Sequence, residues 1–116
     1  GSKRRKALKV AKKRLHLAEK NLAHKEKKKF YDEVSRAVWG YLGDKLNIDM
    51  AELSKETADE KLFARNVKPE TITKLHQLIS SCELSLYAPS ADDSEMKIDY
   101  TTALNLIADL EDEIRS

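Results

Sequence analysis

The sequence lacks the features that a cross-linked or membrane-spanning chain requires. Its single cysteine, Cys82, excludes an intrachain disulfide and is typical of a reducing compartment or of a small buried apolar residue. No apolar run approaches the roughly 20 residues with which a helix crosses a bilayer. We therefore expect this stretch of chain to be soluble, without a transmembrane segment.

Residues with catalytic or metal-binding spacing are equally scarce. None of the three histidines, His16, His24 and His76, has a cysteine or carboxylate four residues away, the i, i+4 spacing of a helical zinc site. The acids over 92–95 and 109–113 are better explained by helix capping and a solvated helix face than by calcium binding or acid–base chemistry. The sequence thus predicts a protein that is not an enzyme, with no catalytic residue, cofactor, metal ion or small-molecule substrate.

Glycine and proline are rare, with three and two residues in 116. Charged residues make up 36% and apolar residues 41%, which is typical of a helical bundle with a well-solvated surface. No segment shows the period-two alternation of a strand. We therefore predict an all-α fold, a single compact helical bundle of about five helices, in one domain over 1–116.

Apolar spacing and capping signals place these helices. They are predicted over 3–24, about 28–46, about 55–65, 69 to a point before Pro89, and 92 to the end, with a short turn over 50–53 and a loop over 88–94. The opening Gly-Ser pair is typical of a cloning remnant, so the basic first helix covers 3–24 and the remaining bundle 25–115. In the third helix, Ala58, Leu62 and Phe63 are the predicted core positions.

Charge is divided unevenly along the chain. Residues 1–40 contain 14 Lys/Arg and 4 Asp/Glu, whereas residues 41–116 contain 8 Lys/Arg and 16 Asp/Glu. The first helix has eight cations between positions 3 and 14, with no acid before Glu19: Lys3, Arg4, Arg5, Lys6, Lys9, Lys12, Lys13 and Arg14. These eight residues are predicted to contact an anionic membrane surface or an acidic partner. Nucleic acid is the weaker alternative, because no aromatic residue is interleaved among the lysines.

Two pairs of apolar residues fall outside the main apolar stripes and are candidates for a protein interface. Val10 and Leu17 share a secondary face of the first helix, and Trp39 and Leu46 lie at the margin of the second. The sequence leaves open which pair contacts a partner, with Trp39 favoured for its larger apolar area. It also leaves open whether the first helix packs on the bundle or extends from it.

Four segments carry a family likeness. They are RRKALKVAKKRL over 4–15, FYDEVSRAVWGYLGDKL over 30–46, AELSKE over 51–56 and CELSLYAPS over 82–90. In this order, and followed by a closing amphipathic helix, they resemble the C-terminal cytoplasmic region of BatD-type proteins of the Bat (aerotolerance, or oxygen tolerance) group of bacterial membrane proteins.

The resemblance implies a parent protein with periplasmic domains, one membrane helix and this helical region on the cytoplasmic side of the inner membrane. It further implies partners among proteins of the same operon: von Willebrand A-type proteins, tetratricopeptide-repeat proteins or a MoxR-type ATPase. The cations at the start of the chain agree with the excess of Lys and Arg on the cytoplasmic side of membrane helices. We therefore expect a non-catalytic, cytosolic protein-interaction module that acts in assembly of a Bat-type stress complex, or else a nucleic-acid-binding helical domain.

Overall fold

A computed structural model describes residues 1–85, 87 and 92–114. Within these ranges all regular secondary structure is helical. The helices are α1 (Ser2–Arg14), α2 (His16–Ala23), α3 (Lys27–Leu46), α4 (Lys55–Ala64), α5 (Pro69–Leu84) and α6 (Asp93–Glu113), with a short 3-10 turn at Met50–Glu52. The predicted all-α bundle is confirmed. The number of helices is six because the predicted first helix forms two segments.

Leu15 separates these two segments. Its ψ of 13° leaves the helical range, yet its N–H still donates to the Ala11 carbonyl at 3.0 Å and its carbonyl accepts from the Glu19 N–H at 2.9 Å. The Leu15 side chain is completely buried. After this interruption the packing partner changes: α1 packs chiefly on α6, and α2 packs chiefly on α3. The first helix therefore packs on the bundle rather than extending from it.

Helices α3 and α6, with 20 and 21 residues, are the long elements on which the others pack. Helix α3 contacts α2, α4, α5 and α6, while α6 also contacts α1 and α2. The largest fully buried side chains come from the α1–α2 junction and from α3, α4, α5 and α6: Leu15, Phe30, Tyr41, Leu42, Leu46, Leu62, Leu75, Leu78, Met96, Leu106, Ile107 and Leu110. One continuous core therefore joins the basic first third of the chain to its acidic last third.

Local capping explains where two of the helices begin. Ser54 Oγ accepts from the Thr57 N–H at 3.1 Å, while Thr57 Oγ1 accepts from the Ser54 N–H at 2.9 Å, which forms a reciprocal capping box before α4. Asp92 Oδ1 accepts from the Glu95 N–H at 2.9 Å before α6. The helix starts predicted near these residues are confirmed. Pro89 and residues 88–91 of the predicted loop lie outside the described residues.

One predicted core position of α4 is wrong. Ala58 and Leu62 are buried, as four-residue spacing requires for one face of a helix, but Phe63 is 76% exposed. Phe63 lies about 100° around the helix from Leu62, so the face set by Ala58 and Leu62 turns its ring to solvent. Phe63 is therefore an aromatic surface residue rather than part of the core.

Candidate interaction surfaces

The inner side of α1 joins the basic and acidic parts of the chain. Ala7 and Ala11 are buried, and these small side chains let α1 pack closely on α6. Beside them, Arg4 Nη1 lies 2.9 Å from both Asp109 Oδ1 and Asp112 Oδ2. The hydrogen bond to Asp112 is the main cause of a raised Arg4 pKa, although burial opposes it. Arg4 therefore binds α6 within the chain.

Two further cations of α1 also bind groups within the same chain. Lys3 Nζ donates to the Asp112 carbonyl at 3.2 Å. Arg14 Nη2 lies 2.8 Å from Asp44 Oδ2, and the guanidinium stands 5.6 Å from the centroid of the Tyr41 ring, an arrangement that allows cation–π attraction. Three of the eight predicted contact residues are therefore bound to the chain's own groups.

A further set of polar contacts joins Tyr41 of α3 to the end of α6. Its hydroxyl donates to Glu111, which also accepts from Lys45 at 3.1 Å. Burial raises the pKa of Tyr41, and the hydrogen bond to Glu111 raises it further. For Glu111, burial acts to raise the pKa, but the hydrogen bonds from Tyr41 and Lys45 together outweigh it, and its pKa is lowered. These contacts therefore favour the ionised form of Glu111 and the neutral form of Tyr41.

The other five cations form an outward-facing row, here named the basic stripe. They are Arg5, Lys6, Lys9, Lys12 and Lys13, all exposed. On an ideal helix they occupy an arc of about 120°, opposite the buried alanines of α1. Among the described residues, none of the five has a carboxylate within 4.0 Å. The basic stripe is therefore the part of the predicted cationic surface that is left to meet another molecule.

The spacing of residues in the sequence already distinguishes Arg4 from the other cations, although a count of cations does not. Arg4 stands four residues before Leu8 and seven before Ala11, which places it on the apolar stripe of the first helix. A cation on the packing face needs a partner inside the fold. The acidic face near Asp109 and Asp112 provides that partner.

The structure separates the members of both predicted apolar pairs. Val10 is partly buried against the core, whereas Leu17, beyond the interruption at Leu15, is 52% exposed. Trp39 is partly buried, but Leu46 is only 2% exposed and belongs to the core. Leu46 is therefore wrong as an interface residue, because no partner reaches it without unfolding the end of α3. Leu17 and Trp39 remain accessible.

Trp39 lies between two adjoining surface cavities. One, of about 390 Å³, we name the Trp39 groove, and its lining is Ser35, Arg36, Trp39, Gly40, Met50 and Leu53. The second, of about 200 Å³, shares Ser35 and Trp39 and continues towards Cys82 on α5. Met50, at the edge of the groove, is 77% exposed. An aromatic ring and a flexible thioether thus meet at an open depression, and sequence analysis had identified only Trp39.

The single cysteine is embedded in the fold, whereas His16 and His24 are exposed. Cys82 is buried, and burial raises its thiol pKa to about 12, so the thiolate that a nucleophile or metal ligand requires is disfavoured. Among residues 1–85, 87 and 92–114, no group of three or more His, Cys, Asp or Glu side chains is placed to hold a metal ion. None of the helices in these ranges has the length and apolarity to cross a bilayer.

Comparisons with known proteins add no relative to this description. The chain matches no protein-family model, no curated protein and no solved structure.

Proposed function

We propose that this chain is a non-catalytic protein-interaction module that binds a partner protein at the Trp39 groove. The observation that supports it is the accessible indole beside the exposed Met50 in an open, mostly apolar depression. Tryptophan contributes large binding energies when a partner covers it, and methionine adapts to varied apolar surfaces.

Positive charge at the rim of the groove indicates the chemistry of the occupant. Arg36 lines the groove, and Arg14 Nη1 lies 3.9 Å from where a side chain at Gly40 would begin. Each is paired with one exposed aspartate, an interaction that contributes little at the surface. The best-fitting occupant is a segment with an apolar side chain for the groove and, beside it, acidic residues that replace Asp44 and Asp32 as partners of the two arginines.

The family resemblance supplies the setting of this proposal. The domain acts on the cytoplasmic side of the inner membrane, as part of a single-pass membrane protein in a Bat-type aerotolerance complex. Its partners are the co-encoded von Willebrand A-type, tetratricopeptide-repeat or MoxR-type proteins.

Calorimetric titration with each co-encoded protein tests the proposal. Trp39→Ala should weaken binding at least about tenfold, because truncating a central aromatic anchor removes more than about 1.4 kcal/mol. Tyr87→Ala is the matched control, since Tyr87 is also aromatic, is 83% exposed and is not one of the residues that line the groove. Circular dichroism establishes that both variants are folded. Unchanged affinity in a folded Trp39→Ala variant would contradict the proposal.

The basic stripe supports a second role, attraction to an anionic membrane surface. Cations near such a surface contribute about 1 kcal/mol each and act within a Debye length. Co-sedimentation should show binding to phosphatidylserine vesicles at low salt and its loss at high salt, with no binding to phosphatidylcholine. Lys9→Gln/Lys13→Gln should reduce binding, while Lys74→Gln/Lys97→Gln, the same charge change at exposed positions of α5 and α6, should reduce it less.

Nucleic acid is the alternative for the same cations. Steeply salt-dependent DNA or RNA binding, in a protein that ignores anionic vesicles, would favour it.

A further inference from the structure

Helix α4 presents a charged face of the opposite sign, here named the acidic face and formed by Glu56, Glu60 and Phe63. Spacings of four and seven residues place the three within an arc of about 60°. Both glutamates are exposed, and no cation lies within 4.0 Å of either among the described residues. Phe63, at one edge of this arc, is 76% exposed. The neighbouring Asp59 is not free in this way, because it contacts His76 Nε2 at 2.8 Å.

The fold gives the acidic face no cationic partner of its own. Helix α4 packs on α3 and α5, whereas α1 packs chiefly on α6. No ion pair joins α1 to α4 within the part of the chain that the structure describes. Each chain therefore displays a basic stripe on α1 and an acidic face on α4 that have no ion-pair partner among residues 1–85, 87 and 92–114, on helices that pack in different places.

We propose that the occupant of the acidic face is the basic stripe of a second copy of this chain. Lysines spaced three and four residues apart on α1 match glutamates spaced four apart on α4, so two helices laid side by side bring opposite charges together. Exposed apolar groups accompany both surfaces, Leu17 just beyond the stripe and Phe63 on the acidic face. The proposal rests on the role of the stripe as an interaction surface and names its occupant.

The contact is heterologous, because each copy contributes a different face to its two neighbours. Such contacts close into a ring or continue as a chain, and they are not limited to a dimer. Exposed ion pairs are individually weak, so the assembly forms at high protein concentration. Anionic vesicles compete for the same lysines and should dissociate it.

Sedimentation equilibrium tests this proposal with the whole chain. At low salt the weight-average mass of the wild type should rise with concentration above 13.2 kDa, and 1 M salt should return it to that value, since the Debye length is then about 3 Å. Lys9→Glu/Lys13→Glu and Glu56→Lys/Glu60→Lys should each weaken self-association at least tenfold. The matched control, Lys74→Glu/Lys97→Glu, should weaken it less than Lys9→Glu/Lys13→Glu does.

Mixing the two charge-reversed variants gives the decisive result. The reversed stripe of one is complementary to the reversed acidic face of the other, so an equimolar mixture should associate although neither variant does alone. Circular dichroism on each variant verifies the fold. A wild type that stays monomeric at low salt, or a folded mixture that does not associate, would overturn the proposal. Vesicle binding and partner binding at the Trp39 groove are separate assays and would stand or fail independently.

Discussion

Arg4 and Arg5 are adjacent cations that the sequence does not distinguish by charge and that the structure treats in opposite ways. Arg4 lies 2.9 Å from carboxylate oxygens of Asp109 and Asp112, whose side chains are only 25% and 24% exposed. The other oxygen of Asp112, Oδ1, is buried without a hydrogen-bond partner in the described structure. Asp112 therefore depends on Arg4. Arg5 is exposed and unpaired among the described residues.

Arg4→Met keeps most of the apolar stem of the side chain and removes its charge. A pair that is neither buried nor fully exposed lies between the surface limit of about 0–1 kcal/mol and the buried limit of about 3–5 kcal/mol. We expect a loss of about 1–3 kcal/mol in the free energy of unfolding. For a domain of this size, each kcal/mol of lost unfolding free energy lowers the melting temperature by about 4 °C. Arg4→Met should therefore lower the melting temperature by about 4–12 °C.

Arg5→Met is the matched control and should change stability by less than about 0.5 kcal/mol. Urea denaturation followed by circular dichroism measures both variants. A double-mutant cycle of Arg4→Met with Asp112→Asn should show coupling of at least about 0.5 kcal/mol. Equal effects of the two arginine substitutions, or no coupling between Arg4 and Asp112, would refute the assignment of Arg4 to the fold and Arg5 to the surface.

Three other predictions concern stability. Leu62→Ala should destabilise the domain by about 2–5 kcal/mol in urea, whereas Phe63→Ala should change it by less than about 0.5 kcal/mol; similar losses would contradict the orientation of α4. Ser54→Ala should lose about 1 kcal/mol by the same measurement, and no loss would mean that the capping box contributes nothing. Because the pKa of Glu111 is lowered, its stabilisation is complete above the ordinary value of 4.5 and is lost as pH falls through the lowered pKa. Glu111→Gln should therefore remove part of the acid dependence of the melt, and a parallel pH profile would exclude this contribution.

Much of the fold was predictable because local rules act within a few residues. The capping box at Ser54, the acceptor at Asp92 and the proline that begins α5 mark helix starts without reference to the rest of the chain. The orientation of Phe63 was also contained in the local pattern, since the residues three, four and seven positions before it are all acidic. Leu62, by contrast, follows Ala58 by four residues and shares its apolar face, which packs on α3 and α5.

The candidate surfaces were less predictable, because they depend on contacts between distant parts of the chain. The eight cations of the first helix divide into bound and free groups only when acids more than 100 residues later are brought beside Arg4. The Trp39 groove likewise requires Met50 and Leu53, which follow the end of α3, to fold back beside Trp39. Helical periodicity places Arg4 on the packing face, but it identifies neither the acids that bind Arg4 nor the residues that complete the groove.

The most direct test of the proposed interaction role is an amide hydrogen-exchange footprint of the domain, recorded with each proposed partner protein and compared with the free domain. The proposal predicts added protection over residues 35–40 and 50–53, the two segments that line the Trp39 groove. Protection confined to other helices, with exchange in both segments unchanged, would contradict it.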